Sequence, residues 1–505
     1  MSFLAHDLLE GRGAGSRGYD IAAEYVAAQY QTLGLEPGVN GSWFQSVPFR
    51  RTLPDPGSTI TLTHPGAAPV TLRFGTDFTT YGDPLTTSKV IDGDVVFAGF
   101  GISAPERKYD DYAKVDVKGK IVAIFSGAPA NFPNAVRAHY ASTLTKLENA
   151  ASRGAAGMIL LNTATDAARF PWDRSVRQAK LGSMHWLRAD GTPASVFPPV
   201  STTVSLNAAA TELLFGGAST SLTGVITSIG KGTPKPFALP VHATMNIGAR
   251  HEAVRSANVV GVLRGSDPVL RDQYVIYSAH LDHIGITEPV NGDAINNGAI
   301  DNASGIAGML EVARAFTLLP QRPRRSIIFL ATTAEEKGLR GADYYANNPT
   351  VPIESLVANL NIDGLMMIHR TRDLVPLGAE TSDIGDVVTR VARQMNVELS
   401  PDPFPEEVFF VRSDQYPFVK RGVPALFVNS GYKAVDPNVN PQQSMEEWMR
   451  VRYHAPGDDM TQPLDFATGA MLAEFDFRVG VELANADARP KWKPNDFLGD
   501  RFGRK

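Results

Sequence analysis

The sequence predicts an α/β protein: a mostly parallel, open sheet with helices on both faces, and a separate β-rich domain inserted after the first helix. Three observations carry this. Four short apolar runs, YVIYSA (274 to 279), SIIFLATT (326 to 333), LVANLNI (356 to 362) and VPALFV (423 to 428), alternate with helical patterns. Continuous apolar strands of this kind suit a parallel sheet covered on both faces. The texture changes to short β-branched runs from about Arg51, and a proline-rich stretch, Gly232 to Pro240, closes that region. The expected domains are therefore 1–50, opening the α/β unit, 51–240, inserted, and 241–505, completing it. At 505 residues the chain is too long for one compact core.

Taken in order, Ile21, Tyr25, Val26 and Leu33 recur near helical spacing, and Gly34 is a plausible stop. TITLTHPGAAPVTLRF (59 to 74) reads as a hairpin around Pro65-Gly66. GDVVFAGFGI and KGKIVAIFSG each read as a strand, and LTKLENAASRGAAGMILL as a helix and then a strand. The Gly99-Phe100-Gly101 stretch imitates a dinucleotide fingerprint, but PERKYDDY after it is no apolar helix. After the linker, ASGIAGMLEVARAF and DIGDVVTRVARQM are helices between the apolar strands.

Composition excludes several classes. Lys and Arg number 48 against 53 Asp and Glu, a net charge of -5 with both signs mixed, so no nucleic-acid partner is expected. No apolar run reaches the length of a membrane span. Cysteine is absent, which removes thiolate ligands and nucleophiles. The opening MSFLAHDLLEGR has no basic region followed by an apolar stretch, so a secretory leader is expected to be absent or already removed. No G-x-S-x-G elbow occurs, against a serine hydrolase of the α/β-hydrolase type.

In open α/β sheets ligands bind beyond the carboxyl ends of the strands. His280 and Asp282 follow the first apolar strand, and Asp301 precedes the next helix. Glu335 and Glu336 follow the second strand, Asp363 the third, and Tyr453-His454 lies near the end of the domain. Imidazole and carboxylate ligands without thiolate suit zinc, and also cobalt or manganese. Two histidines and three acids exceed what one open catalytic zinc needs, and they suffice for two ions if one carboxylate bridges. Paired ions about 3.5–4 Å apart are a known hydrolytic arrangement. One of the adjacent Glu335 and Glu336 can ligate while the other acts as base. Each residue also has a plain structural use: Asp301 as a helix cap, Asp363 in a turn, the glutamates at a helix start. His6, His64, His283 and His369 read as structural or surface residues.

AHLDH, GAIDNASGIAGMLE, ATTAEEKGLRGA, NLNIDG and YHAPGD resemble the five signature segments of the co-catalytic zinc aminopeptidases. That family also includes glutamate carboxypeptidases, glutaminyl cyclases and the transferrin receptor. GFGISAPERKYDDYAKVDVKGKIVAIFSG resembles a protease-associated domain inserted in such enzymes. The resemblance implies two Zn2+ per chain, one on His280 and Asp363, the other on Glu336 and His454, with Asp301 bridging. It implies Glu335 as general base, Asp282 orienting His280, Tyr453 donating to the oxyanion, and Arg412, in VRSDQYPF, lining the substrate cleft. Gln415 stands where the family often has histidine. The expected activity is hydrolysis of the N-terminal bond of peptides. A carboxypeptidase or dipeptidase, a glutaminyl cyclase and a catalytically inactive binding protein remain open on the same scaffold. Relatives of this kind are mostly exported, so a periplasmic or secreted location is expected; oligomeric state stays open.

Overall fold

The computed structural model describes residues 1–232 and 234–504. The chain divides into two compact units, one of Met1–Val47, Arg255–Pro405 and Phe409–Lys505, the other of Pro48–Val254 with Glu406–Val408.

The first unit opens with α1 (Arg17–Thr32). Ser16 caps it by accepting the Tyr19 N–H at 3.2 Å, and Gly34 leaves it at φ 73°. Its buried face is Tyr19, Ala22, Ala23, Val26, Ala27 and Tyr30, while Ile21, Tyr25 and Leu33 pack at its margin. Burying a side chain such as Val26 stabilises by roughly 1.5–3 kcal/mol.

The sheet of this unit contains the end of β1 (Phe237–Leu263), β2 (Tyr274–His280), β3 (Ser326–Thr332), β4 (Leu356–Asn361), β5 (Asp373–Leu377) and β6 (Ala425–Ser430). Their spatial order is β1, β3, β2, β4, β6, β5. The central four run parallel, and β1 and β5 pair antiparallel at the flanks. Residues alternate between two covers. Val275, Tyr277 and Ala279 meet α1, α2 (Gly305–Thr317) and α6 (Phe466–Asn485). Tyr274 and Ile276 meet α3 (Arg340–Asn347) and Phe418. The remaining helices of the unit include α4 (Ile384–Met395) and α5 (Pro441–Val451). Because the central strands are parallel, all four carboxyl ends emerge on one side. No helix among the described residues is long and apolar enough to cross a membrane.

The second unit pairs the 59–63 and 70–73 strands as the expected hairpin, Thr59 opposite Arg73. Strands 88–97, 121–125, 157–161 and 203–206 follow in parallel, around a core that includes Val96, Val122, Ile124 and Met158. Helices such as Thr143–Ser152 accompany them, so the unit is mixed α/β. The linker read at 232–240 differs from the structure: Pro240 lies inside β1, and the units divide at Val254–Arg255. Proline is tolerated there because the pairing with strand 88–97 slips register between Ala238 and His242.

Candidate metal centre

Each candidate ligand stands at or just past the carboxyl end of a central strand or on a loop facing it. His280 is the last residue of β2. Glu335 and Glu336 follow β3 after Ala334, whose φ of 53° is unusual for a residue with a side chain. Asp363 follows β4, and His454 also has a left-handed backbone, φ 52°. Strain of this kind is kept where surrounding contacts demand it.

The side chains converge. His280 Nε2 lies 3.0 Å from Asp363 Oδ1 and 3.2 Å from Asp301 Oδ1. His454 Nε2 lies 3.3 Å from Asp301 Oδ2 and 2.9 Å from Glu336 Oε2. The two oxygens of Asp301 thus face different histidines. His283 joins them, with Nδ1 2.8 Å from Glu336 Oε1 and 3.8 Å from Asp301 Oδ2. Its spacing alone did not single it out; its position two residues past Leu281, at the end of β2, is the signal that could have. Far from being a surface residue, it is fully buried.

This donor set fits a divalent metal. Burial alone would disfavour a charged His454, yet Glu336 and Asp301 raise its pKa to about 9. His280 is likewise raised, against its burial, by Asp363, Glu335 and Asp301. Burial would raise Glu336, but His454 opposite it brings its pKa to about 2. The carboxylates draw positive charge to this point, which cations supply. Glu336 Oε1 and both nitrogens of His283 are buried with no hydrogen-bond partner. The 2.8 Å contact between them is close but off the line that an N–H···O bond prefers.

The supporting contacts come from several segments. Asp458 accepts the main-chain N–H of Ile300 at 2.9 Å and of Asp301 at 3.0 Å. The Asn302 side chain accepts from Gly305 and Gly364, each at 2.9 Å, and donates to Ile362 O at 3.1 Å, tying the Asp301 and Asp363 loops together. The Asp301–Asn302 peptide is cis. Asn258 holds the loop carrying the two glutamates, accepting from Thr333 N and donating to Gly341 O, both at 3.0 Å. The buried Arg12 donates to Leu281 O, Asn297 O and Gly298 O. Asp458, Asn302, Asn258 and Arg12 were not singled out as site residues, because most of their partners are main-chain groups distant in sequence.

Asp282 stands behind the His280 ring through its main-chain carbonyl, 3.0 Å from Nδ1. Its carboxylate, expected to orient that ring, turns instead to the main-chain N–H groups of Glu335 and Glu336. The ring needs one acceptor and the Asp282 backbone already supplies it, which leaves the side chain for the glutamate loop.

A cavity opens on the cluster. Its lining combines the polar His280, Asp301, Glu335, Asp363 and His454 with the apolar Met366, Phe409, Phe427, Met445, Trp448 and Met449. Burial pushes the Glu335 carboxyl well above the usual range; the His280 charge opposes this, and Asp363, Glu336 and Asp414 add to it. Tyr453 stacks on His454 at 3.7 Å between ring centres, and its hydroxyl accepts from Arg412 Nη2 at 3.3 Å. Both line the cavity. Gln415 does not; it is buried and donates to Phe410 O at 2.7 Å. Asn429 lines the cavity too, and its side-chain oxygen is buried without a donor.

Residues 258–474 match peptidase family M28, and residues 91–193 match the PA domain. A probable zinc metalloprotease of Pyrenophora teres f. teres is 28% identical over 247 residues, 47% of this chain and 50% of that protein. The aminopeptidase NAALADL1 of Mus musculus is 33% identical over 190 residues, 35% of this chain and 24% of that one. The chain thus spans half or less of these relatives' length. Among solved structures, an aminopeptidase from Aneurinibacillus sp. strain AM-1 shares the fold, with a TM-score of 0.54 at 19% identity over 98% of this chain and 94% of that one. Residues 258–474, in the first unit, thus match peptidase family M28, and residues 91–193, in the second unit, match the PA domain, the second unit interrupting the first in sequence.

Proposed function

We propose that the chain is a zinc-dependent aminopeptidase using two Zn2+ ions. The observation that carries the reading is Asp301, whose two oxygens face His280 on one side and His454 on the other, beside the buried Glu335. His280 and Asp363 would hold one ion, Glu336 and His454 the other, and Asp301 both. A bound zinc pair supplies Lewis acidity, which acidifies water and polarises a carbonyl. Glu335 takes the proton of the attacking water and passes it to the departing amine; its raised pKa suits both transfers. Tyr453 accepts from Arg412 and so keeps its own O–H to donate to the oxygen that becomes negative.

The end of the substrate follows from the charges. A free α-amine meets Glu335, Asp363 and Asp301, and the unmatched Asn429 oxygen is a further acceptor. A terminal carboxylate calls for forked arginines, and Arg412 is the only Lys or Arg among the lining residues described. The apolar wall of Met366, Phe427, Met445 and Trp448 suits an apolar first side chain. The test is one peptide in three forms, free, N-acetylated and C-amidated, with and without chelator. Acetylation and chelation should each abolish cleavage and amidation should change it little. Cleavage of the acetylated form but not the amidated one would make the chain a carboxypeptidase.

A further inference from the structure

His283 has no part in the proposed reaction, yet it sits in the metal cluster. Its side chain is 0% exposed, and neither ring nitrogen has a hydrogen-bond partner. Buried polar groups are nearly always matched, and leaving one unmatched costs about 1–3 kcal/mol. The only close polar contact of Nδ1 among the described residues is with carboxylates, 2.8 Å to Glu336 Oε1 and 3.8 Å to Asp301 Oδ2. Glu336 Oε1 is itself unmatched, and the contact points past alignment. Ligands sharing one ion meet in this way. Each reaches it at about 2.0–2.2 Å, so the donor atoms end near one another while their lone pairs converge on the ion, not on each other.

The backbone holds the ring in place. The His283 N–H donates to Arg12 O at 3.2 Å, and the Arg12 guanidinium reaches Leu281 O at 2.9 Å, Asn297 O at 2.7 Å and Gly298 O at 3.0 Å. The ring lies against Gly298, where a Cβ would stand 2.5 Å from its Cγ. It meets His454 edge-on, with ring centres 5.8 Å apart and planes at 73°.

We propose that His283, through Nδ1, is a fourth protein ligand of the metal ion held by Asp301, Glu336 and His454. This rests on the two-metal reading and deepens it. The two ions are then unequal. One would have four protein ligands, and the other, on His280, Asp301 and Asp363, three. The four-ligand ion binds more tightly and exchanges more slowly.

The test compares metal-stripped wild type, His283→Ala and His283→Asn, titrated with Co2+ and followed by visible absorption, and with Zn2+ against a chromophoric chelator. Wild type should take up two ions in two affinity classes. In both variants the tighter site should weaken by more than the ~100-fold upper range for losing an outer-shell partner, and its cobalt spectrum should change. The other site should keep its affinity and spectrum, which shows that the variants fold. Weakening below tenfold, or recovery of wild-type binding by His283→Asn, would make His283 a hydrogen-bond donor to Glu336 and overturn the assignment. A wild-type chain that takes up only one ion would overturn the two-metal reading, and this assignment with it.

Discussion

The carboxylate of Asp282 accepts the main-chain N–H of Glu335 at 3.0 Å, and its second oxygen lies 3.4 Å from the main-chain nitrogen of Glu336. In the proposed reading, the base and a metal ligand on one loop therefore share one buried anchor. Asp282→Asn keeps the shape but replaces one acceptor oxygen with a donor facing an N–H. We expect turnover to fall by about 10–100-fold, the range for outer-shell partners. Both metals should stay bound. Steady-state kinetics with elemental analysis of the same sample checks this, and unchanged turnover would count against the anchoring role.

Asp301→Ala should empty both metal positions together, because each ligand set shares that carboxylate. Elemental analysis of the purified variant reads the outcome directly. A full metal pair in the variant would refute the bridge.

Glu335 and Glu336 should separate. Glu335→Gln cannot accept a proton and should lose turnover by roughly 10²–10⁴-fold, typical of general-base removal, with both metals retained. Glu336→Gln should weaken metal binding at one position. Metal loss in Glu335→Gln, with activity restored by added zinc, would reverse the two roles.

The pH profile follows from the burial of Glu335, which raises its pKa well above the usual range. A base works only when deprotonated, so activity is present above that raised pKa and lost as pH falls through it. The acid limb of kcat/KM, measured at saturating zinc, should lie closer to neutrality than the ~4.3 of an unperturbed glutamate. A limb at or below that value would show that Glu335 does not govern it.

The PA unit carries its own buried charge. Lys146 donates to Phe100 O at 2.7 Å, Phe125 O at 3.1 Å and Gly127 O at 2.6 Å, and burial lowers its pKa to about 7, partly offset by Asp111. The unfolded value is about 10.4. Between these two the unfolded chain holds a proton that the folded chain lacks, so this lysine makes stability rise with pH in that window and contributes no slope below pH 7. Lys146→Met should remove that slope and destabilise the unit, since buried carbonyls lose their donor at about 1–3 kcal/mol for each left unmatched. Denaturant unfolding of both proteins from pH 7 to 10 measures both effects. Parallel pH curves would refute the shift.

The sequence by itself determined the order of strands and helices in the peptidase unit, and the placing of acids and histidines after successive strands. Both are local properties. An apolar run of six or seven residues, bounded by turn residues, declares a buried strand, and the residue that follows it declares what stands at its end. His280, Glu335, Glu336 and Asp363 were legible for that reason. Only the tertiary structure decided which atoms face which. The tertiary fold brings residues 21 to 153 positions apart within hydrogen-bond distance of one another, and no sequence period encodes such a meeting. It turned the Asp282 carboxylate from His280 to the glutamate loop, drew Arg12 under the His283 backbone and carried β1 past Pro240. It also placed His283 in the cluster, because β2 ends so that the loop after it folds back over Gly298, where only a residue without a side chain leaves room for the ring.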